Sequence, residues 1–162
     1  MNLNRFWLAT VFTLWIAGGF QQGLAFRLSV FGVEPDYLLI GAALLGFMGG
    51  INAAIVAGFA AGLIHAALAG TDTWQFIGSK MIACLFCAFV IESRFQRNIG
   101  VAAVAVAVAT IIASLILMIV APSHLMGSPI KATIIGAIYN GVIAFAVYFP
   151  LESLTGTKGK EI

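Results

Sequence analysis

Few side chains in this sequence have the chemistry for a reaction or a ligand. Cys84 and Cys87 form a C-x-x-C, but inside the apolar run IACLFCAFV. Redox or metal work needs an accessible, electropositive setting or further ligands, so the two read as small buried hydrophobes. His65 and Lys80 are the ionisable residues that lie well inside apolar runs, in GFAAGLIHAALAG and IGSKMIACLF. A lysine there is costly unless it snorkels or finds a partner, and the spans offer it no obvious acid. Asp72, in the short polar link between the two runs, joins His65 and Lys80 as a candidate intramembrane pocket. His124, in PSHLMGSP, reads as a solvated loop residue. There is no nucleophile–base–acid set, no cluster with metal-ligand spacing and no phosphate loop. The expectation is a chain without catalytic residues, metal or cofactor.

The elements that must position these groups are membrane helices. With 62% hydrophobic and 9% charged residues in 162 and a mean hydropathy of +1.08, a soluble globule is excluded, and no catalytic or nucleic-acid-binding domain fits outside the spans. Between Tyr37 and Gly70 the chain is almost wholly apolar. One helix of that length would run roughly 50 Å, far beyond a ~30 Å hydrocarbon core. The chain therefore turns back, and Gly49-Gly50-Ile51-Asn52 is the turn.

The sequence predicts an all-α polytopic membrane protein of six transmembrane helices. They run from Phe6 to about Phe26, Asp36 to about Gly49, Ala53 to Ala69, about Trp74 to Ile91, Ile99 to Val120, and Ile130 to about Phe149, where Pro150 ends the last. No convincing A-x-A site follows the first run, which reads as an uncleaved span. The second span is short, roughly 21 Å of helix. It must thin the bilayer, extend into its flanks or stop inside a protein-lined cavity. Residues 1–155 form one domain, and 156–162 a short polar tail.

Ala54, Gly58, Gly62, Ala66 and Gly70 recur at i+4 along the third span, so one face carries nothing larger than a methyl. Such a face serves close packing within the chain or docks another protein. Ala132, Gly136, Asn140 and Ala144 repeat the device in the sixth span, where Asn140 would hydrogen-bond a neighbouring helix. Pro35, flanked by Glu34 and Asp36, suits a helix start with negative charge at its positive end, and a partner contact is the other reading. Asp72 suits the cap of the fourth span. His65 and Lys80 flank that short link on antiparallel helices, so both lie about 7–11 Å below one membrane face. They form a shared polar pocket there, or else Lys80 snorkels beside a helix-bonded His65. Six spans place both termini on one side, with Arg5, Arg94, Arg97, Lys158 and Lys160, which the positive-inside rule makes cytoplasmic.

The segment QGLAFRLSVFGVEPDYLLI resembles the region leading into the second span of MreD, the rod-shape-determining membrane proteins of bacteria. There, a Gln near the end of the first span precedes an apolar loop and a Pro-Asp that opens a Leu-rich helix. Here those positions are Gln21 or Gln22, Pro35 and Asp36. GFAAGLIHAALAG is similar to the family's glycine-spaced third span, and Tyr139-Asn140-Gly141-Val142 to its Asn-containing end. Family members usually carry an Asp at the position of Ala66, which here adjoins His65. The resemblance implies a non-enzymatic scaffold of the cell-elongation complex in the bacterial inner membrane, supporting peptidoglycan synthesis and cell shape. Its partner would be an MreC-like periplasmic coiled-coil protein. Through it come the peptidoglycan polymerase and transpeptidase and the MreB filaments, with lipids around and no nucleic acid. Pro35, Asp36, Gly58 and Gly62 are the candidate partner-binding residues. The family's fold is likened to the substrate-binding subunit of energy-coupling-factor transporters, so the alternative is a small-solute-binding subunit, with its pocket at His65, Lys80 and Asp72.

Overall fold

The computed structural model describes residues 3–70, 72–92, 97–120 and 127–157. Arg94, His124, Lys158 and Lys160 lie outside the described residues. Six α-helices follow in order: α1 (Leu3–Gly23), α2 (Tyr37–Gly49), α3 (Ile51–Ala69), α4 (Thr73–Glu92), α5 (Ile99–Val120) and α6 (Gly127–Thr155). Of these, α3, α4, α5 and the part of α6 from Pro129 onward are long and apolar enough to cross a membrane. The helix α1 carries Asn4, Arg5, Gln21 and Gln22 at its ends, and α2 has only 13 residues. The surface is what lipid requires, with large apolar side chains turned outward on α1, α3, α4, α5 and α6.

The short helix is the centre. Every residue from Leu38 to Met48 is buried, and α2 packs against all five other helices. A helix that is apolar on every side has no solvent or lipid face to offer and belongs inside. Of the three ways out for so short a span, the protein-lined one is realised. The turn after it is a single residue: Gly50, at φ +77°, ends α2 by donating to Gly46 O and opens α3. Positive φ is where glycine costs least.

The small-residue face of α3 is filled from within. A Cβ on Gly58 would stand 2.7 Å from Met81 Cα, and one on Gly62 2.5 Å from Ile77 Cα and 2.7 Å from Phe76 O. These glycines let the backbones of α3 and α4 touch, so Gly58 and Gly62 form no surface for another protein. The docking reading of this face is corrected accordingly. Pro35 is likewise fully buried. It precedes the N-cap residue of α2 instead of opening its first turn.

Pro150 does not end the last helix. It stays within α6, which continues to Thr155. Proline removes one backbone donor and crowds the carbonyl four residues back, but Pro150 is exposed while Leu151 and Thr155 beyond it are buried. Arg5 secures the far end, donating through Nε to Leu154 O (3.0 Å) and through Nη2 to Ser153 O (2.6 Å). Those are terminal carbonyls with no helical donor left, and a guanidinium there also suits the helix dipole. Tertiary anchoring thus outweighs the local break. Pro150→Ala is therefore expected to stabilise the protein by about 1 kcal/mol or more, since it restores a helical hydrogen bond at an exposed site. Thermal unfolding in detergent checks this, and an unchanged or lowered midpoint would refute it.

Candidate functional site

The polar residues converge on the head of the central helix, and each of the other helices contributes a side chain. Asp36 is the N-cap of α2: its Oδ1 accepts from Leu39 N at 2.9 Å. From α1, Gln21 accepts from Tyr37 N at 2.9 Å through Oε1 and donates through Nε2 to Pro35 O at 3.3 Å. From α6, Asn140 Oδ1 accepts from Asp36 N at 3.1 Å, while its Nδ2 donates to Thr110 Oγ1 of α5 at 3.1 Å. From α4, Lys80 forms an ion pair and hydrogen bond with Asp36 Oδ2. From α3, His65 Nδ1 stands 3.6 Å from Asp36 Oδ1, with the imidazole stacked on Phe76 at 4.6 Å between ring centres.

A helix head buried among other helices leaves orphan N–H groups that water cannot reach, and in lipid each is expensive. Here Gln21, Asn140 and Asp36 itself satisfy the N–H groups of Tyr37, Asp36 and Leu39. The Asp36 carboxylate in turn faces the positive end of the α2 dipole and the Lys80 ammonium. Lys80 is only 2% exposed, so it does not snorkel. The glycine contact of α3 with α4 helps to hold it there, because Lys80 O and Met81 are what Gly58 packs against.

The expectation that Lys80 lacks an acidic partner is thus overturned. Asp36 lies ahead of its helix, outside the apolar run that defines the span, yet the short α2 begins deep enough for its cap to meet Lys80. The signal was there in two parts: a helix too short to reach the surface, and an acid at its head. Asp72, by contrast, is not the acid that pairs with Lys80. It is exposed, and its Oδ2 accepts from Gln75 Nε2 at 3.2 Å. Thr110, one of two hydroxyl residues with Ser114 in an Ala- and Val-rich span, carried no sequence signal of its role. Cys84 and Cys87 are both buried as free thiols, and Cys87 Sγ donates to Ala105 O at 3.5 Å.

Beside this node lies a cleft of about 550 Å³. It runs from Glu34, Gln75 and Pro129 at the loop end of the bundle down to Lys80, Thr110 and Asn140. Asn140 both caps α2 and walls this cleft. Its side chain is 98% removed from solvent, being 2% exposed, and it holds three helices together. Asn140→Leu would leave Asp36 N–H and Thr110 Oγ1 without their partner, an expected loss of about 2 kcal/mol. Asn140→Asp keeps the acceptor but sets a second carboxylate beside Asp36, and is expected to be worse. The order Asn, Leu, Asp in decreasing melting temperature is the check; Asp matching Asn would contradict it.

No protein-family model, no curated protein and no solved structure matches the chain significantly.

Proposed function

We propose that this protein is a non-enzymatic scaffold of the bacterial cell-elongation complex, resident in the inner membrane with both termini cytoplasmic. In this reading it binds an MreC-like partner and supports peptidoglycan synthesis and cell shape. One observation carries it. Gln21, Pro35, Asp36 and Asn140, four of the residues that carry the resemblance to the MreD proteins, come from three separate parts of the chain and meet at the head of α2. A motif whose parts interlock is better support than the same residues scattered over apolar helices.

With Gly58 and Gly62 packed on α4 and Pro35 buried, the partner surface is, in this reading, to be sought beyond those three residues. The connection before α2 offers one. Val30 and Val33 exchange backbone hydrogen bonds of 2.9 and 3.0 Å around Phe31-Gly32. Phe31 holds φ +53° and is 85% exposed. A bulky residue kept in the left-handed region with its ring outward is a strained, apolar loop tip, the kind of feature that functional contacts preserve.

The test is affinity purification of the full chain from its native bacterium in mild detergent, with mass spectrometry of what accompanies it. A single-span periplasmic coiled-coil protein together with wall-synthesis enzymes is the expected recovery, reduced by Phe31→Ser. The cleft favours a second reading, a small-solute-binding subunit of an energy-coupling-factor type transporter. Recovery of an ATPase pair with a coupling membrane subunit would establish that one and displace the first.

A further inference from the structure

The cleft beside the node is more polar at its inner end than helix packing needs. Lys80 walls it, and an ammonium has three donors. Among the described residues Asp36 is the one acceptor for Lys80 Nζ, so donor capacity remains on a side chain that is almost wholly buried. Asp36 takes Leu39 N on one oxygen and Lys80 on the other, and a carboxylate has lone pairs beyond those two. A buried ammonium with unused donors gains from each further oxygen acceptor that reaches it.

Charge narrows the occupant. Asp36 neutralises Lys80, and Glu34, an exposed acid on the cleft wall two residues before Asp36, leaves the lining net negative among the described residues. A simple anion would meet Lys80 only against that repulsion, and a simple cation would leave the Lys80 donors unmet. A molecule bearing both charges satisfies each side: its oxyanion on Lys80, its cation toward Asp36 and Glu34, a dipole laid head to tail against the ion pair. The rest of the wall is uncharged and mixed, with apolar Leu39, Leu117 and Met118 beside the hydroxyls of Ser79, Ser114 and Thr133. From Met118 to Thr110 along α5 the depth is about 12 Å, and the volume falls within the range of small-molecule sites.

We propose that this cleft binds a zwitterion, with an oxyanion on Lys80 Nζ and an ammonium group beside Asp36 and Glu34. The same chemistry is carried by a phosphatidylethanolamine headgroup and by a free soluble zwitterion. The site rests on the cleft alone and stands whichever assembly the chain joins.

The test uses the full chain purified in mild detergent and three variants. Native mass spectrometry is run with an equimolar mixture of phosphatidylethanolamine and phosphatidylglycerol, and thermal unfolding with free glycerophosphoethanolamine. Lys80→Met is included, but its folding is not assured. Ala132→Leu, which fills the cleft, and Glu34→Gln, which removes the mouth charge, leave the ion pair intact. Expected is a preference of about tenfold for phosphatidylethanolamine over phosphatidylglycerol, falling to near parity in both Ala132→Leu and Glu34→Gln. That result assigns the site to a lipid headgroup. A saturable rise in melting temperature with glycerophosphoethanolamine, abolished by Ala132→Leu, assigns it to a soluble zwitterion. Equal retention of the two lipids without any such rise overturns the proposal. So does a preference or a rise that Ala132→Leu leaves unchanged, because binding then lies elsewhere.

Discussion

Lys80→Met is expected to be among the most damaging single substitutions in this bundle, lowering stability by about 3 kcal/mol. The methionine fits the lysine's volume, so little of the loss is packing. It arises because the Asp36 carboxylate loses the Lys80 ammonium inside the helix bundle, with only His65 Nδ1 left nearby at 3.6 Å. The figure sits at the low end for a buried pair for two reasons. The Asp36 side chain retains 25% exposure, and it keeps the Leu39 N–H and the helix dipole as partners. The reverse substitution, Asp36→Asn, removes the anion but keeps a good cap, and leaves Lys80 as the uncompensated charge. Asp36→Asn combined with Lys80→Met is then expected to recover most of the loss of either alone. A double-mutant cycle on thermal or denaturant unfolding in detergent reads the coupling directly. Additive losses would mean that the pair is a coincidence of position and not a structural contact. Recovery in the double variant would show that the node can be rebuilt without charge. The ion pair would then be retained for something other than stability, such as the donors it presents to the cleft.

Much of this arrangement was legible in the sequence, and what was missed has physical causes. The limits of α2, α3, α4 and α5 lie within about two residues of the sequence reading, because polar residues or glycines punctuate the chain there. By contrast, α1 ends at Gly23 and α6 begins at Gly127, each ahead of the limit read for it. Ile99–Val120 matches the sequence reading, and the α2–α3 turn falls on Gly50, because only a residue tolerant of positive φ joins two helices so abruptly. Pro150 misled because a local rule for helix ends was applied where tertiary anchoring by Leu151, Thr155 and Arg5 decides. The role of α2 was only half visible. Its shortness was plain, but YLLIGAALLGFMG is apolar on every side and so has no face to say what surrounds it. The same ambiguity hid the ion pair, since assigning Asp36 to a membrane surface presumes that its helix begins there. The spaced glycines of α3 announced a close approach without naming the neighbour. Nothing in a small-residue pattern distinguishes a helix of the same chain from one of another protein.

Substitution at those glycines separates the two. Gly62→Ala is expected to cost about 2–3 kcal/mol, although alanine is the better helix former. The new Cβ would fall 2.5 Å from Ile77 Cα and 2.7 Å from Phe76 O, and both are backbone or attached directly to it, so no side-chain rotation relieves the clash. The helices α3 and α4 would have to separate, and since Phe76 stacks on His65 and Lys80 lies one turn further along α4, the node should loosen with them. Gly78→Ala, on α4 itself, is the internal control. A Cβ there has nothing within 4 Å, so the change should be neutral or stabilising by about 0.5–1 kcal/mol. Unfolding of the isolated protein, with no partner present, makes the comparison decisive. A face reserved for another protein would leave Gly62→Ala as stable as Gly78→Ala in isolation and weaken only the complex. A face filled by α4 makes Gly62→Ala fail alone, and with it the position of Lys80.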